Sequence, residues 1–260
     1  YDYYGLGIAR DILAVAEKDG NTYFASYYNG IPHLIDGEFN TRYSNHNTNG
    51  ALDTIDYWEF DRRMAVSDLK FDAEGNLWGL TSSVDHPIFV KTKDNKWKSF
   101  ELSKTQKFLF DELLIDSYNQ KWGIIGREGG MFVFTDNNTF DDPSDDQYKI
   151  LNTNTGNGKL PSLDVHCFVE DLDKEIWVGT NKGITVFYNP SLMFTEFNSD
   201  AQQILVQDGE YGQYLLHEEK VKCIRIDGNN RKWIGTERSG VFLLSEDGTE
   251  EILHFTIDNS

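Results

Sequence analysis

Apolar residues in this chain fall in short runs separated by clusters of Gly, Asn, Asp and Lys. Runs of that length suit strands better than helices. VHCFVED (165–171) and VKCIRID (221–227) each read as one strand, followed by a polar stretch that predicts a turn. IWVGT (176–180) and KWIGT (232–236) predict a second strand. The tight turns NKG (181–183) and ERSG (237–240) follow, with a Gly that can supply positive φ. ITVFY (184–188) and VFLLS (241–245) predict a third strand. WKSFEL (97–102), MFTEF (193–197) and EILHFT (251–256) predict a fourth. No segment sustains the 3.6-residue apolar period of a helical solenoid.

The pattern repeats. Four segments align without gaps on an Asp six residues before a Trp: Asp72 and Trp78, Asp116 and Trp122, Asp171 and Trp177, Asp227 and Trp233. A degenerate fifth copy places Glu17 in the Asp slot and Tyr23 in the Trp slot. The aromatic-to-aromatic steps are 55, 44, 55 and 56 residues. Periods of this size mark stacked supersecondary units. Each Asp is expected to form the turn by bonding its own backbone. A Gly close behind each Trp leaves room for a neighbouring backbone or ring.

Four short antiparallel strands per repeat make a propeller blade. The expected fold is therefore all-β, a β-propeller domain over residues 1–260. Its five visible blades fall at about 5–52, 53–102, 103–151, 152–205 and 206–256. Because EILHFTIDNS (251–260) reads as the lead-in to another blade, the chain is expected to be truncated at both ends. It would belong to a ring of six or seven blades.

Composition narrows the function. The formal net charge is −19, with no run of Lys or Arg to offset it, so the surface repels phosphate backbones and nucleic acid is not an expected partner. No stretch approaches eighteen apolar residues, so no membrane span is expected in this segment. Six Trp, thirteen Tyr and seventeen Phe suit half-buried pleated surfaces.

Chemistry-bearing motifs are sparse, and no catalytic residue, metal site or cofactor is expected. Gly5-Leu6-Gly7 lacks the third Gly of a dinucleotide loop. His217-Glu218-Glu219 is not a zinc-protease motif. Asp141-Asp142-Pro143-Ser144-Asp145-Asp146 lacks the Gly and terminal Glu of an EF-hand, and reads as a solvated loop. Cys167 and Cys223 occupy equivalent places in neighbouring repeats, too far apart for a disulfide, and read as small core residues. His166 and Lys222 share one repeat position, with Ser67 and Asp111 in other copies. Lying on the inner strand, they are the first ligand-contact candidates. Arg62 and Arg63, before the second blade, are candidates for an anionic glycan or an acidic partner.

The run Asp-x-x-[Gly/Asn]-x-x-Trp-x-Gly-Thr resembles the two-component regulator propeller repeat of Bacteroidetes, most fully at Asp171–Val186 and Asp227–Leu243. The lead-in KLPSLDVHCFVED (159–171) resembles it too. Within that family, GLGIARDI (5–12), ASYYNGI (25–31), FYNPSLMFTEFNSDAQQI (187–204) and 230–260 look like a propeller of surface components of the type IX secretion system. That likeness implies a non-catalytic scaffold, exported to the outer-membrane surface or periplasm. Its implied partners are other secretion-complex proteins that process cargo, or the anionic lipopolysaccharide to which cargo is joined. The repeat family also contains periplasmic glycan sensors of hybrid two-component systems, which is the alternative reading.

Overall fold

In the computed structural model, residues 11–56, 62–102, 108–195, 199–208 and 211–259 are described, with only the backbone considered at Asp56, Arg62, Gln207, Asp208 and Tyr211. Gly5-Leu6-Gly7 and the Arg62 side chain lie outside the described residues.

The chain is all-β, and strand order in each sheet follows the chain. The first sheet comprises β1 (Ile12–Lys18), β2 (Asn21–Ser26), β3 (Ile31–Ile35) and β4 (Glu38–Tyr43). A two-stranded ribbon follows, β5 (Ile55–Asp56) with β6 (Arg62–Arg63). The second sheet has β7 (Val66–Phe71), β8 (Leu77–Thr81), β9 (Ile88–Lys91) and β10 (Trp97–Phe100). The third has β11 (Phe110–Ile115), β12 (Lys121–Ile125), β13 (Gly130–Thr135) and β14 (Gln147–Leu151). The fourth has β15 (Val165–Glu170), β16 (Ile176–Thr180) and β17 (Gly183–Phe187). A second ribbon pairs β18 (Leu205–Asp208) with β19 (Tyr211–Tyr214). The last sheet has β20 (Val221–Ile226), β21 (Lys232–Thr236), β22 (Val241–Leu244) and β23 (Glu251–Phe255). Both ribbons are additions that the repeat pattern did not show.

One predicted strand does not form over its described residues. MFTEF was expected to be the fourth strand of its repeat, but Pro190–Leu192 form a 3₁₀ turn and Met193–Thr195 continue as turn, 196–198 lying outside the described residues. Pro190 suits the start of a helical turn, because its φ is fixed and it needs no hydrogen-bond acceptor there. The edge of β17 is met instead by Gln202, which exchanges backbone hydrogen bonds of 2.8 and 2.9 Å with Val186.

Central strands are covered on both faces. LWGLT of β8, KWGII of β12 and IWVGT of β16 are buried at every position. That is why their sequences read as continuous apolar runs rather than alternating ones. Two compact units form, Tyr1–Ile115 with Asp136–Asp146, and Asp116–Thr135 with Gln147–Ser260. In the first, Ala16, Tyr23, Ala25 and Ile31 pack with Val66, Leu69, Leu77 and Phe89. In the second, Cys167, Trp177, Ile184 and Val186 pack with Val221, Ile224, Ile234 and Phe242.

The Asp-to-Trp spacing has a direct physical cause. Asp72 Oδ1 accepts the Asn76 backbone N–H at 2.7 Å, and Oδ2 accepts the Trp78 indole N–H at 2.8 Å. Asp116 holds Gln120 N–H and the Trp122 indole, both at 2.8 Å. Asp171 holds Glu175 N–H at 2.9 Å and the Trp177 indole at 3.1 Å. Asp227 holds Arg231 N–H at 3.1 Å and the Trp233 indole at 3.3 Å. One carboxylate thus closes the hairpin and satisfies the only polar atom of a buried ring. Each loop also needs one residue in the left-handed region, supplied by Gly75, Asn119, Lys174 and Asn230 at φ 89°, 59°, 67° and 59°. The expected turn role of the Asp holds, and the indole bond is the added reason for its distance from the Trp.

The first repeat lacks this bond for a reason of register. Its hairpin closes on Asp19 and Gly20, both at positive φ, so the ladder pairs Glu17 with Thr22 and Ala16 with Tyr23. Glu17 is therefore a strand residue on the exposed face, opposite to Tyr23, and not a turn residue.

The glycines behind the Trp residues make room for large side chains on paired strands. A Cβ at Gly123 would meet the Phe132 ring at 2.1 Å, and one at Gly79 would meet the Phe89 ring at 2.2 Å. At Gly179 and Gly235 the atom met is the sulfur of the paired cysteine, Cys167 or Cys223, at 2.6 Å.

Two outcomes are expected. Asp171 and Lys232 form an ion pair of 2.9 Å with both side chains at 0% exposure. Replacing Asp171 with Asn strands a buried cation, and should destabilise the fold by about 3–5 kcal/mol. Adding Lys232→Met should restore most of that loss. Denaturant unfolding of the three variants measures this, and equal midpoints for wild type and D171N contradict it. Gly123→Ala drives a methyl group into fully buried Phe132, and should cost about 1–3 kcal/mol in the same assay. An unchanged midpoint contradicts that reading.

Candidate functional site

The first strand of four sheets is broken at the same place. The ladder register shifts between Ile12 and Ala14, Val66 and Asp68, Val165 and Cys167, and Val221 and Cys223. The extra residues are Leu13, Ser67, His166 and Lys222. A bulge leaves its residue unpaired and re-aims the side chain, which is why bulges gather at functional rims. The flanking geometry repeats as well. The first residue after the second strand donates its N–H to the carbonyl just before the first strand, in Tyr27 to Asp11, Ser82 to Ala65, Asn181 to Asp164 and Glu237 to Lys220, at 2.9–3.1 Å. Backbone is held constant while the bulge side chain changes from an alkyl group to a hydroxyl, an imidazole and an ammonium.

The two candidates from sequence, His166 and Lys222, are brought together in the second unit, on packed strands β15 and β20. His166 is 14% exposed at its side chain, with Nε2 3.4 Å from an Asp164 carboxylate oxygen and making no hydrogen bond. Burial lowers its pKa, Asp164 opposes that shift, and Lys222 and Lys220 add to it, with Glu237 opposing again. The ring is therefore neutral near pH 7. Lys220 pairs with Glu237 at 3.4 Å, while Lys222 is exposed. The arrangement is a neutral imidazole among two lysines and two carboxylates. It can donate and accept hydrogen bonds and meet an anion, which is equipment for recognition.

Asp164 and Lys220 were not singled out from sequence, although both stand seven residues before the repeat Asp. The signal that could have found them is that shared offset. Of the other copies, Ser67 is buried with its hydroxyl 3.4 Å from the Leu80 carbonyl, and Leu13 is exposed.

The remaining expected residues separate. Arg63 belongs to the first unit and lays its guanidinium over Tyr28, 4.7 Å from the ring centre. Neither cysteine is in a disulfide, and only Cys167 is a core residue, Cys223 being exposed. The position above Gly179 is met by Val221 of the next repeat as well as by Cys167, whereas the position above Gly235 is met by Cys223 alone, which is why the second thiol is left exposed. The acidic segment is ordered by its own bonds: Asp142 accepts from Ser144 N–H and Oγ, Asp145 from Thr139 Oγ1, and Phe140 packs against Trp78. Among the described residues no cluster of His, Cys, Asp or Glu is placed to hold a metal ion. No helix among them is long and apolar enough to cross a membrane.

No protein-family model and no curated protein matches the chain. Solved structures do. PorZ, an essential bacterial surface component of the type IX secretion system of Porphyromonas gingivalis, is similar over 97% of this chain and 34% of its own length, with 26% identity and a TM-score of 0.79. The extracellular domain of a hybrid two-component system from B. thetaiotaomicron is similar over 95% of this chain and 30% of its own, at 14% identity and TM-score 0.58. Virginiamycin B lyase from Staphylococcus aureus is similar over 97% and 73%, at 12% identity and TM-score 0.59. The last two likenesses show the fold, which is propeller-like. The chain spans about a third of PorZ, and it is to this surface component that its fold and sequence together bear likeness.

Proposed function

We propose that the chain is a non-catalytic propeller module of a PorZ-like component of the type IX secretion system, exported to the outer-membrane surface or periplasm. It would bind other secretion-complex proteins or anionic lipopolysaccharide through the varied bulge positions. The observation that carries this reading is the likeness to PorZ across 97% of the chain. The repeat chemistry supports it, because the carboxylate and Trp of each latch are committed to hairpins and core, which leaves binding to residues that differ between copies. The lyase and sensor likenesses, at 12% and 14% identity, carry fold alone. A ring of six or seven blades is supported by unpacked apolar positions on the first sheet, Ile12, Leu13 and Val15, and on the last, Val241, Ile252 and Leu253.

Titrating the chain against purified secretion-complex proteins and against anionic and neutral lipopolysaccharide tests the proposal. It predicts saturable binding to a complex protein or to the anionic form. His166→Ala with Lys222→Ala should weaken that binding about tenfold. No saturable binding to any of these contradicts it.

The His166 ring supplies a second check. Its folded pKa lies below the ordinary value near 6.5, so the folded state binds fewer protons than the unfolded one. Stability is then lost as pH falls from about 6.5 through the folded value. NMR titration should give a midpoint below 6.5, and Lys222→Glu should raise it. A midpoint at or above 6.5 in the wild type contradicts the described site.

A further inference from the structure

The repeats can be compared with one another at the place where a lysine meets the aromatic of the preceding repeat. In the last sheet Lys232 lies 4.7 Å from the Trp177 ring centre and pairs with Asp171 at 2.9 Å. It also donates to the carbonyls of Asn230 and Glu246. Lys232 stands opposite Leu244 in the ladder of β21 and β22. In the second sheet the same two residue types are exchanged across the ladder, with Leu77 in the position of Lys232 and Lys91 opposite it. Directly opposed residues point to one face, so the ammonium reaches the same region from the adjacent strand. Lys91 lies 5.7 Å from the Tyr23 ring centre and is only 8% exposed.

What differs is the acid. The first repeat has no Asp latch, and Glu17 sits on the opposite face from Tyr23. Among the described residues no carboxylate is within ion-pair distance of Lys91, whose one hydrogen bond is to Asn95 Oδ1 at 2.6 Å. A buried ammonium with a single neutral partner is costly. Its burial lowers its pKa. The surroundings are fixed around it. Tyr23 stacks on His33 with ring centres 4.1 Å apart, and His33 bonds Asn21 at 2.9 Å and Asn40 at 3.1 Å. A cavity of about 390 Å³ opens there, lined by Lys18, Lys91 and Lys93, by the carboxylate residues Asp19 and Glu74, and by Tyr23 among others. Three lysines against two acidic residues leave the lining with an excess of positive charge in a chain of net charge −19.

We propose that this cavity binds an acidic sugar, its carboxylate taking on Lys91 the place that Asp171 holds on Lys232. A single carboxylate matches a single ammonium. Lys18 and Lys93 offset Asp19 and Glu74 in the lining, which leaves the charge of Lys91 for the ligand. The amides of Asn21 and Asn95 and the Thr92 hydroxyl offer donors and acceptors for ring hydroxyls, and the volume suits one sugar ring. The site lies in the first unit and does not depend on the bulge residues His166 and Lys222.

The test uses the whole chain, with glucuronate as probe and glucose as its neutral counterpart. Glucuronate should raise the melting temperature saturably and perturb the NMR signals of Tyr23 and His33, while glucose at equal concentration should not. Lys91→Met removes the buried charge, so the variant should fold with stability at least equal to wild type and lose the glucuronate response at least tenfold. Lys93→Ala should weaken the response about threefold without altering the core. H166A/K222A should leave it unchanged, which separates this site from the partner-binding one. Equal responses to glucuronate and glucose, or an intact response in the Lys91→Met protein, would overturn the proposal.

Discussion

The structure depends on one hydrogen-bonded unit, the carboxylate that closes a hairpin and holds a buried indole. An indole ring carries the largest apolar area of any side chain but also an N–H that must be satisfied when water is removed. An Asp six residues earlier, in a three-residue loop, is within reach of both the loop backbone and that N–H. Trp78, Trp122 and Trp177 can therefore be fully buried. Charge-assisted bonds of this kind contribute about 1.5–3 kcal/mol each. The latches also tie repeats together, as where Asn230 of one loop accepts from Leu172 N–H and donates to Asp173 of another.

This constraint separates what must stay constant from what is free to vary. The latch, the left-handed loop residue and the space across from the Trp-associated Gly serve the fold. The bulge side chains and the surroundings of the lysines do not. Where the latch is missing, at Tyr23, the acid that elsewhere neutralises a buried lysine is missing as well. Degeneracy in one copy thereby becomes a local chemical difference rather than a loss of structure.

Much of this was legible in the sequence. The strands of the four latched repeats, the Asp-led turns and the room left by glycine follow from short apolar runs and turn chemistry. MFTEF was misread because alternation of Phe and Thr resembles a strand, while Pro190 just before it starts a 3₁₀ turn. The equivalence of Glu17 with the repeat Asp failed because gap-free spacing is blind to loop length: one residue fewer in the hairpin puts position 17 on the other face. His166 and Lys222 were found from their shared offset. Asp164 and Lys220 shared one too, but their role depends on a bulge and on packing between strands, neither of which alternation encodes. The Lys91 site was invisible, because it rests on a lysine and a leucine exchanged across a strand pair.

The most direct test of the latch is hydrogen exchange at the indole nitrogens, followed by NMR. The account predicts slow exchange for Trp78, Trp122 and Trp177, whose N–H groups are buried and bonded at 2.8–3.1 Å. Trp233, bonded at 3.3 Å and partly exposed, should exchange faster, and half-buried Trp97, outside any latch, faster still. Exchange of all these indoles at one common fast rate would contradict the claim that the Asp–Trp bond holds the repeats.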